Sequence, residues 1–303
     1  MSLLEDVERR LRSLLARRQG AAGFGPLGGS TLERADARLA GMSTHERAAV
    51  QALLDGSPDG HARGSVLAAL ASAAPLPALA RFATRLATMT PSLRDAALDP
   101  THTPPGTFTQ PDGTTCGSSV LVMSRMLNDP AYAMSVLTGY DPRTGRACPG
   151  GASTPQDRFR DESRRMHEQT GGLTNHDGHL QIPWPRALGT SPSSVANQMG
   201  GGDGRSGLPG SAYAGELVDP DDAGRTFTHI VTATRAGETV PLFIGDSRIP
   251  RHVVLVTASA DDTLTVYDPS SGATTTAVSR GDFENGRMAV AGWHQAWVAV
   301  TPR

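Results

Sequence analysis

Cys116 stands where a turn-rich loop, Gln110-Pro111-Asp112-Gly113-Thr114-Thr115, runs into an apolar stretch, Val120 to Leu127. That stretch predicts a buried helix, which puts Cys116 at a helix start. The sulfur nucleophile is a thiolate, and the positive end of a helix dipole stabilises negative charge placed there. Gly117 is expected to leave room for a substrate to approach. Gln110 precedes the thiol by six residues, so its side-chain amide can fold back toward it. With the Cys116 backbone N–H it would make two donors for a developing oxyanion.

A second constellation lies downstream. Arg251-His252-Val253-Val254-Leu255-Val256 and Leu264-Thr265-Val266-Tyr267-Asp268-Pro269 flank a turn centred near Ala260. Folded as an antiparallel hairpin about that centre, they put His252 opposite Asp268, with Cβ atoms roughly 4.5–5.5 Å apart. The shared face then carries His252, Val254, Val256, Leu264, Val266 and Asp268, and it is expected to pack on the helix that starts at Cys116. A one-residue bulge would spoil that register. An imidazole held by a carboxylate and aimed at a thiol follows the logic of a catalytic triad. Taken singly, Cys116 reads as a buried structural cysteine, His252 as a strand-edge histidine, and Asp268 as a turn residue capping Ser270 or Ser271. Their joint placement carries the catalytic reading.

The elements that must position these groups fall into two halves. Residues 1–98 read as helical throughout, a helical N-terminal domain or extension, with 99–303 as the domain that holds the chemistry. An amphipathic helix opens the chain, with Leu3, Leu4, Val7, Leu11, Leu14 and Leu15 on one side. It reads as a packed or partner-facing surface, so the N-terminal helices are a place for a partner protein. Ser30-Thr31-Leu32-Glu33 and Ser43-Thr44-His45-Glu46 are capping-box patterns, and Ala-rich helices are expected at 62–74 and 76–89. Pro100 to Gly106 marks an extended linker. Further helices are expected at 130–138, 155–168 and 191–199, the last with Ser191 as N-cap and Pro192 in the first position. From 226 the period changes to strands: 226–234, 238–245, 252–258, 263–268, 273–279, 288–291 and 295–301. Helices first, then an antiparallel sheet, indicate an α+β fold.

Bulk properties bound the function classes. A net charge of −2 over 303 residues gives no general nucleic-acid or anionic-membrane surface. Only two cysteines occur, so a disulfide framework is not expected and a reducing, cytoplasmic compartment is the default, with export by a signal-less route open. No apolar run of membrane-spanning length is present, and the first residues lack the pattern of a signal peptide. Gly200-Gly201-Gly202-Asp203-Gly204-Arg205-Ser206-Gly207 lacks the ending of a P-loop and reads as a mobile surface loop. His176 and His179 suggest a metal pair, but no third or fourth ligand accompanies them. Cys148 reads as a free loop thiol, His229 and His294 as strand histidines with His294 a fallback base, and Trp293 and Trp297 as core or cleft wall. The charged helix at 155–168 reads as a solvated face. No cofactor or metal is called for.

Gln-x5-Cys-Gly at a helix start, then His252-Val253-Val254-Leu255-Val256, then Tyr267-Asp268-Pro269, resembles the papain-like cysteine peptidases. It looks most like the bacteriocin-leader-processing, double-glycine branch, whose order is Gln, Cys, His, Asp. Gly237 to Ile244 resembles that branch's strand before the histidine, and Asp282-Phe283 with the Trp-rich ending is also similar. The resemblance covers roughly 105–303. It implies a papain-like fold, a catalytic helix packed on an antiparallel sheet. It also implies Cys116 as nucleophile, His252 as general base and acid, Asp268 as orienting carboxylate and Gln110 as oxyanion donor.

The resulting expectation is a hydrolase that cleaves a peptide or isopeptide bond, with a peptide or protein as substrate. Two alternatives stay open. The same triad serves acyl transfer or glutamine deamidation, because transglutaminase-like enzymes share the order Cys, His, Asp, and either chemistry suits a toxin or effector. The third reading is a non-catalytic binding module on a peptidase fold.

Overall fold

The computed structural model describes residues 29–104, 106–148, 154–172, 189–200, 205–272 and 274–303. The opening amphipathic helix, His176 and His179 lie outside the described residues.

Five helices come first: α1 Gly29–Ala40, α2 Thr44–Asp55, α3 Gly60–Ala71, α4 Leu76–Thr88 and α5 Pro91–Leu98. Local signals set several of their starts. Ser43 accepts from the Glu46 amide while the Glu46 carboxylate accepts from the Ser43 amide at 2.8 Å, a complete capping box. Asp59 caps α3 and Thr90 caps α5, which then opens on Pro91. The expected box at Ser30 does not form, because α1 begins at Gly29 and Ser30 lies inside it.

The Pro100–His102 turn leads into the loop before α6, Cys116–Asn128, which is followed by α7, Pro130–Thr138. Asp129 ends α6 and caps α7 by accepting from the Tyr132 amide at 3.2 Å, and α7 stops at Gly139 in a left-handed conformation, φ 73°. A two-stranded ribbon, β1 Tyr140–Asp141 and β2 Arg146–Ala147, precedes α8, Pro155–Thr170. Helix α8 is charged on one side only; Phe159, Ser163, Met166 and Thr170 are buried. Helix α9, Pro192–Met199, has Ser191 as its N-cap, as its sequence indicates.

A six-stranded antiparallel sheet completes the chain. Its strands are β3 Tyr213–Leu217, β4 Val240–Gly245, β5 Pro250–Ala260, β6 Thr263–Tyr267, β7 Thr275–Ser279 and β8 Gln295–Pro302, in the order β3-β8-β4-β5-β6-β7. Two short-range expectations fail here. Residues 226–234 are not a strand but the body of α10, Ala223–Arg235. Phe227, Ile230 and Val231 recur at helical spacing, and burying that stripe outweighs the strand preference of the intervening threonines. Residues 288–291 reduce to one bridge between Val290 and Trp293. A short helix, α11 Arg280–Glu284, and strand β3 escaped notice because neither has a periodic run.

The sheet has covered faces on both sides, so β4 is buried at every position. On one face Phe243, Val253, Leu255 and Tyr267 join a core with Val120, Leu121 and Met123 of α6. That same core runs on through α3, α4 and α7 of the helical region. On the other face Leu242, Ile244, Val254, Val256, Leu264 and Val266 pack with Phe227 and Ile230 of α10. The Gly-rich loop is not all surface: Ser206, Gly207 and Leu208 are buried, and the Ser206 carbonyl accepts from Ser124 and Asn128 of α6, each at 2.8 Å. No helix among the described residues is long and apolar enough to cross a membrane.

Candidate active site

Helix α6 begins at Cys116 without a side-chain cap, because the Thr115 hydroxyl is turned onto Asp112, donating to its carbonyl at 3.0 Å. The first-turn amides therefore keep the partial positive charge of an uncapped helix start. Cys116 is 6% exposed.

Strand β5 brings His252 to the sulfur. Cys116 acts on its ring to raise its pKa, and its Nε2 lies 2.8 Å from Asp268 Oδ1. With Nε2 on the carboxylate, Nδ1 is the nitrogen left for the thiol. Asp268 is fixed in turn by Ser270, whose backbone amide donates to Oδ1 at 2.9 Å and whose hydroxyl reaches Oδ1 and Oδ2 at 2.8 and 2.7 Å. Asp268 thus both holds the His252 ring and anchors its turn, the two placements that its sequence position suggested as alternatives.

Electrostatics follow from this enclosure. Burial works against the imidazolium, but the hydrogen bond to Asp268 and the interaction with Cys116 outweigh it and push His252 up to about 9. Burial also opposes the Asp268 carboxylate, and the bonds from His252 and Ser270 overcome it, holding its pKa below the ordinary value.

The route to this geometry differs from the sequence expectation in two ways. The ladder pairs Leu255 with Tyr267 and Val256 with Val266, and a bulge shifts the register between Val256 and Ala258. Extending the pairing puts Asp268 level with Val254 instead of His252. Val254, Val256, Leu264 and Val266 also pack against α10, not against α6. The residues that meet α6 are their neighbours Val253, Leu255 and Tyr267. The pair nevertheless closes, because Asp268 lies past the end of β6, where the turn to Gly272 aims it.

Gln110 is held near this turn: its backbone amide donates to the Pro269 carbonyl at 2.8 Å. Its side-chain Nε2 donates to Asp112 O at 2.7 Å, and its Oε1 is buried without a partner. Gln110 is thus placed beside the triad, with one amide hydrogen spent on its own loop. Gly117 does not open space for a substrate. A Cβ there would lie 2.9 Å from Thr190 Cβ and 3.7 Å from Val253 Cγ2. The buried Thr190 fills that position, and its hydroxyl has no hydrogen-bond partner.

Three supporting residues gave no sequence signal of their role. Gln156 of α8 accepts from the Phe108 and Thr109 amides and donates to Thr109 O at 3.1 Å. The Tyr267 hydroxyl donates to Phe108 O at 2.6 Å. Between these clamps Phe108 takes a left-handed backbone, φ 62°, which a bulky residue adopts only when its surroundings impose it. Thr190 is the third.

The remaining candidates lie elsewhere. Cys148 is a free, half-buried thiol, and burial raises its pKa. His229 is an exposed residue of α10, its Nδ1 lying 3.0 Å from Glu216, so it is not on a strand. His294 is exposed and precedes β8. Trp297 is partly buried and donates to Asp246 O at 2.8 Å. No protein-family model matches the chain, and no curated protein matches it in sequence.

Proposed function

We propose that this protein is a cysteine hydrolase that cleaves a peptide or isopeptide bond through a Cys116 acyl-thioester. The observation that carries the reading is His252 set between Cys116, which helps to raise its pKa, and Asp268, whose carboxylate lies 2.8 Å from its Nε2. The Cys116 thiol passes its proton to His252, the sulfur attacks the carbonyl carbon, the C–S bond forms and the carbonyl electrons move to oxygen. The uncapped amides at the start of α6, with Gln110 as the second donor, are the groups available to that oxyanion. The C–N bond then breaks, and the leaving amine takes its proton from His252. Water attacks the thioester, His252 accepts its proton, and the acid departs as the C–S bond breaks. Asp268 keeps the ring oriented throughout.

The order Gln, Cys, His, Asp and the packing of α6 on an antiparallel sheet also support a papain-like relationship of the double-glycine peptidase kind. A proteome-wide cleavage screen comparing wild type with Cys116→Ala tests the function. The reading predicts cleavage sites that vanish in the variant, and it fails if no site depends on Cys116.

A second reading is favoured by the enclosure of the triad, in which Cys116, His252 and Asp268 are 6%, 8% and 6% exposed. A site closed to bulk water suits acyl transfer to an amine. Adding an amine nucleophile separates the two: amide product in excess over acid selects transfer.

A further inference from the structure

The turn that carries Asp268 and the loop that carries Gln110 lie against each other. Tyr267 donates its hydroxyl to Phe108 O at 2.6 Å, and the Gln110 amide donates to Pro269 O at 2.8 Å. Gly272 makes the closest approach between them. It is buried and has a left-handed backbone, φ 68°, which a side chain strains. A Cβ there would strike the Thr107 carbonyl oxygen, and it would lie 2.7 Å from Thr109 Cγ2 and 3.1 Å from Gly106 C. At such distances one partner has to move.

The loop is the stiffer side. Thr107 and Gly106 oppose Gly272 with backbone atoms, which no change of rotamer removes. Thr109 is pinned, because its Oγ1 accepts from Gln156 Nε2 at 2.7 Å and from Arg160 Nη2 at 3.1 Å. The Phe108 and Thr109 amides both donate to Gln156 Oε1. The turn is closed mainly on itself. The Ser271 and Gly272 amides donate to the Asp268 carbonyl at 3.2 and 3.1 Å, and Ser270 holds the Asp268 carboxylate. One hydrogen bond therefore joins Gly272 to Asp268, and in a close-packed interior a displacement of the first passes to the second.

Granted the Cys116–His252–Asp268 triad proposed above, we propose that Gly272 is a positioning residue for both halves of the machinery. Its missing side chain lets the Asp268 turn seat on the Gln110 loop. The carboxylate that orients His252 and the amide placed for the oxyanion are thereby set by one contact. A side chain at position 272 lifts the turn, parts the Pro269 carbonyl from the Gln110 amide and draws the Asp268 carboxylate off His252 Nε2.

Gly272→Ala in the full chain tests this, with Gly286→Ala as its control. Gly286 has a similar backbone, φ 60°, but an added Cβ would meet nothing within 4 Å. Both substitutions strain the backbone, and only the first displaces the turn. In Gly272→Ala the His252 titration, followed by ring-proton NMR, is expected to fall from about 9 toward 6.5. Alkylation of Cys116 by iodoacetamide near neutral pH is expected to slow by about fivefold or more relative to Cys148, because a neutral imidazole no longer supports the thiolate. Gly286→Ala is expected to leave both readouts at wild-type values. If Gly272→Ala does not fold by circular dichroism, Tyr267→Phe decides. It cuts one tie between turn and loop while keeping the ring, and both readouts are expected to move the same way by a smaller amount. Three results overturn the proposal: a folded Gly272→Ala in which either readout is unchanged, equal changes in Gly286→Ala, or, where Tyr267→Phe decides, an unchanged readout there. Neither measurement uses a substrate. A cleavage screen without Cys116-dependent sites would remove the hydrolase and leave this coupling measurable.

Discussion

Asp268 is two residues out of register with His252 and still accepts its Nε2 at 2.8 Å. The contact belongs to the turn after β6 and not to the β5–β6 ladder. Diagonal positions across a ladder lie about 7–8 Å apart, within reach of a long side chain. Ser270 then sets the carboxylate, and backbone amides of Ser271 and Gly272 close the turn on the Asp268 carbonyl at 3.2 and 3.1 Å. The orienting carboxylate of the candidate triad therefore depends on a five-residue turn, not on strand pairing.

Replacing Asp268 by Asn tests that dependence. The amide keeps the size and the Ser270 contacts but loses the charge that fixes the imidazole. Turnover of any substrate found by the cleavage screen is expected to fall by about 10²–10⁴-fold. The His252 pKa, followed by ring-proton NMR, is expected to drop from its raised value. An unchanged titration would show that Asp268 does not govern the ring.

The raised pKa of His252 fixes a pH dependence of stability. A group whose folded pKa exceeds its unfolded value stabilises fully below the unfolded value and loses that contribution as pH rises through the folded one. For His252 the window runs from its ordinary value of 6.5 up to about 9. Asp268 acts in the other direction: its contribution is present above the ordinary carboxylate value and is lost as pH falls through its lowered one. Urea unfolding across the upper window is expected to show wild-type stability declining with pH, and His252→Gln should flatten that decline. A wild-type curve already flat there would contradict the assignment.

What the sequence revealed and what it hid divide along one line. The Cys116 loop and the start of α6 were legible because a turn-rich segment meeting an apolar run is a local pattern. The partnership of His252 and Asp268 was legible because they flank one short turn. Register was not, since the bulge at Thr257 has no local marker and is set by packing on both faces. For the same reason Val254 and Val266 were assigned to the wrong face: adjacent residues of a strand buried on both sides are all apolar, so alternation carries no information. The strand expected at 226–234 failed where β-branched residues favoured one period and the buried stripe Phe227, Ile230 and Val231 another. The Gln156 clamp joins residues 47 and 48 positions apart, beyond any local pattern.

That clamp is itself testable. Gln156→Leu leaves the Phe108 and Thr109 amides without their acceptor, an expected cost of about 1–3 kcal/mol in denaturant unfolding. Because Gln110 follows directly, alkylation of Cys116 by iodoacetamide should also slow, while Cys148 reacts as before. A loss of stability with Cys116 reactivity unchanged would reduce Gln156 to a purely structural role.

Gly117 separates packing from chemistry at the nucleophile. It follows Cys116, so a substitution there invites a catalytic interpretation, yet its neighbour in space is Thr190. A methyl group on Gly117 meets Thr190 Cβ at 2.9 Å, closer than side-chain carbons approach, and Thr190 is 3% exposed with little room to move. Gly117→Ala is therefore expected to destabilise the fold by about 1–3 kcal/mol through overpacking. Removing the opposing Cβ should return part of that cost, so Gly117→Ala with Thr190→Gly is expected to be more stable than the sum of the single changes. A double-mutant cycle in urea measures the coupling. Strict additivity would mean that Gly117 is required for the backbone of α6 or for substrate and not for the approach of Thr190. Positive coupling would assign the glycine beside the thiol to the docking of the Gly189-Thr190-Ser191 segment against the start of α6.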